Sequence, residues 1–374
     1  MTSHTARASR FRRGVKAALG VAASLALLAG CATGTTGDDP ATGTGADNGS
    51  SDERVGVTLI VKTAANPFFI AMREGAEAAA AEQGIDLTFE AGREDGDEAT
   101  QIAAIENAIA RGDTGILIAL NGPGVNNAIQ QARDAGLYVI ALDTPPDPID
   151  VTDITFATDN RLAGNLIGQW AAAQLNGERA VIALLDVFDD RIVSVDYQRN
   201  NGFLEGMGID VGNPNLIGDE APTGQYSGGE YEIVGNQATG GAEDGGRTAM
   251  ENLLSRNPDV NVVYTINEPA AFGAYQALVA AGRENDVIIV SVDGGCAGVG
   301  YVADGIISAT AQQYPVLMSQ LGIEALVTYA ATGVAPDVTP GLDFFNTGVA
   351  LVTDQPVDGL DSIDTAEASE LCWG

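Results

Sequence analysis

The order of apolar and polar segments along the chain predicts a buried strand followed by a helix near its beginning. Residues 55–61 form a continuous apolar run that ends in a short polar turn. Asn66-Pro67 then opens a segment, residues 67–80, in which apolar residues recur every three or four positions. Pro67 suits the first position of a helix, where its missing N–H costs nothing, and Asn66 can cap the exposed amides.

The same rhythm continues to about residue 311 and predicts an α/β fold. Further strands are predicted at 85–91, 115–120, 138–142, 154–157, 181–185, 262–266, 287–292 and 306–311, with a weak strand at 216–219. Helices are predicted at 98–111, 125–135, 161–175, 193–208, 247–255 and 267–281, and the Gly-rich residues 222–246 as a surface excursion. Such alternation indicates parallel sheets with helices on both faces. A single open sheet of this many strands is unusual, so we expect two doubly wound lobes, each with its own core.

The first 53 residues differ from the rest in composition. A basic stretch is followed by an apolar stretch that ends in Leu-Ala-Gly-Cys at residues 28–31. This pattern resembles a bacterial lipoprotein signal peptide, so we expect residues 1–30 to be removed and Cys31 to carry a lipid. Residues 31–53, rich in Gly, Thr, Asp and Ser, are predicted to be a flexible linker. The folded part would then stand outside the cytoplasm, anchored to the cell membrane.

Charge and histidine content exclude several classes of protein. The net charge of −33 repels nucleic acid and anionic lipid surfaces. The only histidine is His4, so the chain after the leader has no imidazole for a Ser-His-Asp triad or a zinc site. The acidic loop at 92–97 lacks the spacing of a calcium loop, and we interpret Asp97 as a helix cap. We therefore expect no metal, no cofactor and no enzyme, although carboxylate-only chemistry stays open.

Polar residues follow most of the predicted strands. Open α/β sheets bind ligands at the carboxyl ends of their strands. Each Asp or Asn taken alone is also a common cap or turn residue, and each Phe a common core residue. Together, carboxylates, amides and rings suit a neutral ligand with many hydroxyl groups, because each buried oxygen needs its own partner. The strand-end residues are Asn66, Asp143, Asp159, Asn267, Asp293 and Gln313, with Phe68 and Phe69 close to the first of them.

These motifs support a resemblance to a known family. In chain order they read Asn-Pro-Phe-Phe, Leu-Asp, Thr-Asp-Asn, Ile-Asn-Glu, Val-Asp-Gly and Gln-Tyr-Pro. Residues 55–353 resemble the type I periplasmic sugar-binding proteins of ABC importers, in the ribose-binding group. The similarity extends to the fructose-binding subfamily, which also takes ribose and mannose, through residues 102–107, 167–171, 265–271, 292–296 and 372–374.

The resemblance implies two lobes that close around a monosaccharide and present it to the transmembrane subunits of an ABC permease. The chain would cross between the lobes near Thr158, Gln313 and Asn346. The N-terminal lobe would then comprise residues 54–158 and 314–346, and the C-terminal lobe residues 159–313 and 347–374. The protein would act as a monomer.

The resemblance also implies a set of ligand-binding residues. Asn66, Phe68, Phe69 and Asp143 would contribute from the first lobe, Asn267 and Asp293 from the second, and Gln313 from the hinge, with Asp159 at a further strand end. The ribose-binding pattern has two arginines ahead of Gly-Phe, and this chain keeps Arg199 but has Tyr197 at the other position. Lys62 or Arg93 could supply the missing cation.

Cys296 and Cys372 are the two cysteines that remain after lipidation. In an exported protein we expect such a pair to form a disulfide. A loop of this length would be stabilised by on the order of 4 kcal/mol in the chain-entropy model. The bond would tie the C-terminal tail back beside Asp293.

Three other functions are consistent with parts of the sequence. A receptor for another polyol or a signalling furanose would use the same site. Sugar-responsive repressors share the fold, but they begin with a DNA-reading helix-turn-helix, where this chain has a leader. A carboxylate-pair glycosidase outside the cell would need two carboxyl groups about 5–10 Å apart and would cleave glycosides.

Overall fold

The computed structural model describes residues 55–374, so the predicted leader, Cys31 and the linker lie outside the described residues. The strands are β1 Gly56–Val61, β2 Asp86–Ala91, β3 Gly115–Ile118, β4 Tyr138–Leu142, β5 Ile154–Ala157, β6 Ala180–Asp186, β7 Thr223–Gln225, β8 Glu230–Ala238, β9 Val262–Thr265, β10 Ile288–Asp293, β11 Ala309–Gln312, β12 Phe345–Asn346 and β13 Ala350–Val352. The helices are α1 Pro67–Gln83, α2 Glu98–Arg111, α3 Asn126–Asp134, α4 Asn160–Gln174, α5 Ser194–Met207, α6 Glu243–Arg256, α7 Glu268–Ala281, α8 Cys296–Ala303, α9 Pro315–Thr332 and α10 Thr365–Leu371.

The strands form two sheets, which confirms the predicted fold class. The first sheet has the order β12-β5-β4-β3-β1-β2 and is parallel throughout. The second has the order β13-β11-β10-β9-β6-β8-β7, and only its edge strands β13 and β7 run antiparallel to their neighbours. Parallel strands need crossover connections, which the intervening helices supply.

The chain passes between the sheets three times. After β5 it enters α4, which packs on β10 and β11 of the second sheet. After β11 it returns through α9, which packs on β3, β4 and β5. The third crossing joins β12 to β13. We define the first lobe as residues 55–157 and 315–346 and the second lobe as residues 160–312 and 350–374.

Each sheet is buried on both faces. In β1, for example, Leu59 packs beneath α1 and α9, whereas Ile60 packs with α2 and α3 on the opposite face. In the second lobe Tyr264 lies in the core beneath α4 and α5, and Val263 in the core beneath α6 and α7. This two-sided burial explains why the central strands are continuous apolar runs instead of alternating ones.

Two predictions about the second lobe were wrong. Residues 216–219 form turns and no strand, and residues 222–246 contain β7 and β8 as well as surface loop. β8 pairs with β6 near the edge of the sheet, where only Tyr231 and Ile233 of its residues are buried. Because so little of it is buried, its sequence is polar and resembles a loop. Helix α8, which is short and built of small residues, was not predicted.

Helices α4 and α5 pack backbone to backbone through glycines. A Cβ atom added at Gly164 or Gly168 of α4 would collide with the carbonyl oxygens of Arg199 and Phe203, and Gly202 and Gly206 of α5 are equally tight against α4. Each glycine weakens a helix by about 1 kcal/mol relative to alanine. The close packing of the two helices, and not helix propensity, therefore explains why four glycines are present here. The close approach fixes the position of α5, and with it the position of Arg199.

We expect Gly168→Ala to destabilise the protein by about 2 kcal/mol or more, because the added methyl group must push α4 and α5 apart. Urea unfolding followed by circular dichroism measures the change. The matched control is Gly300→Ala in α8, where the added methyl group meets no atom within 4 Å. That variant should gain up to about 1 kcal/mol from helix propensity alone. Equal effects at the two sites would contradict this account of the packing.

Candidate ligand-binding site

The carboxyl ends of strands from both sheets face each other across a cleft. The central strands place their terminal polar residues there because they run in the same direction within each sheet. The innermost part of the cleft is a cavity of about 50 Å³, so the lobes lie close together. It is lined by Lys62, Asn66, Phe68, Phe69, Asp95 and Asp143 from the first lobe and by Val187, Phe188, Val195, Arg199, Gly241, Ile266, Asn267 and Asp293 from the second.

Two asparagines in the cavity also begin helices. Asn66 Oδ1 accepts a hydrogen bond from the backbone N–H of Phe68 at 2.9 Å, at the start of α1. Asn267 Oδ1 accepts from Ala270 N at 3.1 Å, and its Nδ2 donates to Gly241 O at 2.9 Å. A cap uses the oxygen of the amide, so it orients the side chain without consuming the Nδ2 donors of Asn66.

Arg199 lies between carboxylates of the two lobes. Its Nη2 is 3.8 Å from Asp143 Oδ1 of the first lobe, and its Nη1 is 3.8 Å from Asp293 Oδ1 of the second. Nε donates to Asn160 Oδ1 at 2.7 Å and Nη1 to Ile266 O at 2.9 Å. These two shorter bonds hold the guanidinium in place, and the carboxylates compensate its buried charge.

Asp143 combines an unusual backbone with an unpartnered oxygen. Its φ of 64° is in the left-handed region, which a non-glycine residue adopts only under constraint. Lys62 Nζ is 3.5 Å from Oδ2, and Thr144 Oγ1 donates to the same oxygen at 2.8 Å. The other oxygen, Oδ1, is buried without a hydrogen-bond partner. A buried acceptor of this kind costs free energy until a donor arrives.

Asp293 carries a similar combination in the second lobe. Its φ is 146°, and Gln313 Nε2 donates to its Oδ1 at 3.1 Å. Gln313 Oε1 is a second buried acceptor without a partner. Burial raises the pKa of Asp293 to about 7, although Arg199 opposes the shift. Burial likewise raises the pKa of the neighbouring Glu268 to about 8, and the charge of Asp293 adds to that shift.

Four of the candidate residues from the sequence do not line this cavity. Gln313, at the second crossing, reaches it only through its hydrogen bond to Asp293. Asp159 caps α4 through a bond from Leu162 N at the first crossing. Arg93 is largely exposed at the mouth of the cleft, where its Nε bonds Asp97 Oδ2 at 2.7 Å. Tyr197 lies in a separate cavity of the second lobe, and burial raises the pKa of its phenol. Of the two proposed substitute cations, only Lys62 is in the cavity.

The other residues that line the cavity were not identified from the sequence. Asp95 lies in the acidic loop after β2, and its strand-end position was the one clue. Burial raises its pKa, and Lys62 opposes that shift. Gly241 belongs to the segment interpreted as a surface excursion. The apolar lining residues, such as Val187 and Ile266, are indistinguishable from core residues.

Two parallel-sheet lobes, joined by three crossings and facing each other with polar strand ends, define a two-lobed binding protein of the periplasmic type. The sequence model described as "Periplasmic binding protein domain" matches residues 57–333. The chain therefore belongs to this family.

Relatives of the chain agree with this assignment. It is 28% identical over 269 residues to the ribose import binding protein RbsB of Salmonella typhimurium, covering 72% of this chain and 82% of the relative. A solute-binding protein from Actinobacillus succinogenes with bound D-allose has a TM-score of 0.69 at 22% identity, over 85% of this chain and 100% of that one. A Mycobacterium smegmatis protein in complex with β-D-fucofuranose has a TM-score of 0.68 at 25% identity, over 84% and 93%.

The family assignment confirms that the chain is a binding protein of extracytoplasmic transport and not an enzyme. Within residues 55–374 no helix is both long and apolar enough to cross a membrane.

The raised pKa of Asp293 predicts a pH-dependent stability. Between pH 4 and 7 the folded protein holds a proton on Asp293 that the unfolded chain releases near pH 4. The contribution of this residue to stability therefore falls as the pH rises through that range. The slope for one proton is at most 1.36 kcal/mol per pH unit, so between pH 5 and pH 7 we expect a loss of about 2 kcal/mol.

Urea unfolding of the wild type and of Asp293→Asn at pH 5 and pH 8 measures this effect. The wild type should lose about 2 kcal/mol relative to the variant between the two pH values. Asp358→Asn, at an exposed position, is the matched control. A difference between wild type and Asp293→Asn that is the same at both pH values would show that Asp293 does not carry the proton.

Proposed function

We propose that this protein is the substrate-binding lipoprotein of a sugar ABC importer. It binds a monosaccharide between its lobes, with D-fructose the first candidate and ribose and mannose next, and it delivers the sugar to the permease. A receptor for another polyol or a furanose is the alternative within the same class. Cys31 anchors the chain to the extracytoplasmic face of the membrane. Incorporation of labelled palmitate into the full chain, and its loss in Cys31→Ser, tests the anchor.

One observation carries the proposal of a neutral, hydroxyl-rich ligand. Asp143, which lines the cavity, has a buried acceptor, Oδ1, without a hydrogen-bond donor, and Gln313, which bonds the lining residue Asp293, has another in its Oε1. A hydroxyl group donates to such an acceptor and accepts from a cation or amide at the same time. Arg199, Lys62 and the asparagine amides supply the donors. An anionic ligand would instead meet Asp95, Asp143 and Asp293 together.

The aromatic residues complete a surface suited to a sugar. Phe68 and Phe69 line the cavity with their rings at 86° to each other and centroids 5.3 Å apart. Such rings can cover the C–H faces of a sugar, while the charged and amide groups bind its hydroxyl rim. Sugar binding by the relatives supports the same reading.

The sugar specificity rests on Lys62. The first arginine of the ribose-binding pattern is replaced by Tyr197, which does not line the cavity. Lys62 is 91% buried, with its Nζ 3.5 Å from Asp143 and 5.9 Å from the centre of the Phe69 ring. A lysine donates as a flexible point charge, whereas an arginine is a rigid fork. We therefore expect a sugar preference that differs from that of a ribose receptor.

Contacts between the lobes support a closed, ligand-binding conformation. Arg191 Nη1 of the second lobe donates to Gly96 O of the first at 3.0 Å. Ser194 Oγ of the second lobe donates to Pro145 O of the first at 2.5 Å. Hinge closure of this kind buries the ligand and creates the surface that a permease can recognise.

Isothermal titration calorimetry of residues 54–374 tests the proposed function directly. After unfolding and refolding to remove carried-over ligand, fructose should bind tightly at one site, with ribose and mannose weaker. Glucose and xylose complete the panel, and chromogenic glycosides test for hydrolysis, which we expect to be absent. Folded protein that binds none of the five sugars would refute the sugar assignment and leave the fold unaffected.

Lys62→Met should weaken fructose binding at least tenfold, because it removes the buried cation 3.5 Å from Asp143 while keeping the apolar stem. The matched control is Arg93→Met, which removes a first-lobe cation at the exposed mouth of the cleft and should change the dissociation constant less than twofold. Thermal unfolding of both variants verifies that they are folded. Equal losses in the two variants would contradict a specific contact between Lys62 and the sugar.

A further inference from the structure

The last three residues, Cys372-Trp373-Gly374, are attached to the second lobe. A disulfide joins Cys372 to Cys296 at the start of α8, as the sequence predicted. The backbone N–H of Cys296 also donates to Trp373 O at 2.9 Å. The indole lies against the backbone of Gly295, which follows the carboxyl end of β10.

The indole of Trp373, however, packs on the first lobe. Its ring is 5.3 Å from the ring of Phe68 at an angle of 84°, in the same apolar cluster as Met72 and Leu59. Only 8% of Trp373 is exposed. One side chain carried by the second lobe is thus part of the core of the first.

Trp373 also contacts the second crossing between the lobes. Its Nε1 donates to the backbone oxygen of Gln313 at 2.9 Å. Gln313 in turn bonds Asp293. On its other side Trp373 begins a series of three edge-to-face rings, Trp373, Phe68 and Phe69, the last two of which line the cavity.

We propose that Trp373 is a positioning residue for ligand binding and that the Cys296–Cys372 disulfide acts on the site by holding it. The indole packs against the Phe68 ring and donates a hydrogen bond to the Gln313 backbone. These contacts hold both groups in the arrangement that the closed cleft requires. The role of Trp373 in ordering these groups depends on the proposed function in one respect only, which is the identity of the sugar that binds.

The first experiment needs no ligand. The chain has two tryptophans, and Trp170 is buried in the core of the second lobe. In a Trp170→Phe variant all tryptophan emission comes from Trp373. Reduction of the disulfide should shift this emission to longer wavelength as the indole leaves Phe68. Emission that stays unchanged after complete reduction, verified by thiol titration, would overturn the proposal.

The second experiment uses D-fructose as the probe. Trp373→Ala should raise the dissociation constant about tenfold, and Trp373→Phe, which keeps a ring but loses the N–H donor, should have an intermediate effect. Reduction should weaken the wild type by a similar factor and have no further effect on Trp373→Ala. That lack of additivity separates positioning by Trp373 from a general loss of stability, which would act on both proteins.

Either of two results would overturn the proposal: Trp373→Ala that binds fructose like the wild type, or reduction that weakens both proteins equally. If the wild type does not bind fructose at all, the sugar assignment fails, and the emission experiment still decides whether the disulfide holds the indole.

Discussion

The structure depends on the compensation of one buried cation. Arg199 is 95% buried, and its charge is shared between Asp143 of the first lobe and Asp293 of the second. A buried charge without partners would cost several kcal/mol. The guanidinium therefore stabilises the arrangement in which both carboxylates lie close to it across the cleft. The same carboxylates repel each other when Arg199 is absent. Arg199, by holding one carboxylate of each lobe, therefore favours a short distance between the lobes.

The rest of the second lobe is arranged to hold that guanidinium. The four glycines between α4 and α5 bring the helix of Arg199 close to Asn160, which accepts its Nε bond. The carbonyl of Ile266, at the end of β9, accepts from Nη1. Asp143 and Asp293 reach their positions through left-handed backbone conformations, which cost free energy. Packing, backbone strain and charge all converge on a site whose acceptors are not fully satisfied by the protein itself.

The sequence was sufficient to predict the parts of this arrangement that follow from strand direction. Asp143, Asn267 and Asp293 come directly after apolar runs, Asn66 follows one after a short turn, and the parallel sheets bring them together. Asp159 also follows a strand, but its strand leads into a crossing, so the residue serves as a cap away from the cavity. Local pattern does not distinguish these two kinds of strand end.

Other features depended on contacts far apart in the chain. Strand β8 is polar because it lies near a sheet edge, which its sequence cannot reveal. The position of Trp373 follows from a disulfide that joins Cys372 to a cysteine 76 residues earlier in the chain. No periodicity indicates that the Trp373 ring packs on the other lobe. Lys62 and Arg93 looked equivalent as cations beside strand ends, and only their burial separates them.

The three crossings also bear on how the protein folds after export. The second lobe takes most of its residues from one stretch, 160–312, whereas the first lobe lacks α9 and β12 until the chain is available as far as residue 346. Until then the face of the first sheet that bears Leu117 and Ile140 is missing half of its cover. The first lobe is thus completed only after most of the second has been made, with apolar surface exposed for the time needed to add almost two hundred further residues.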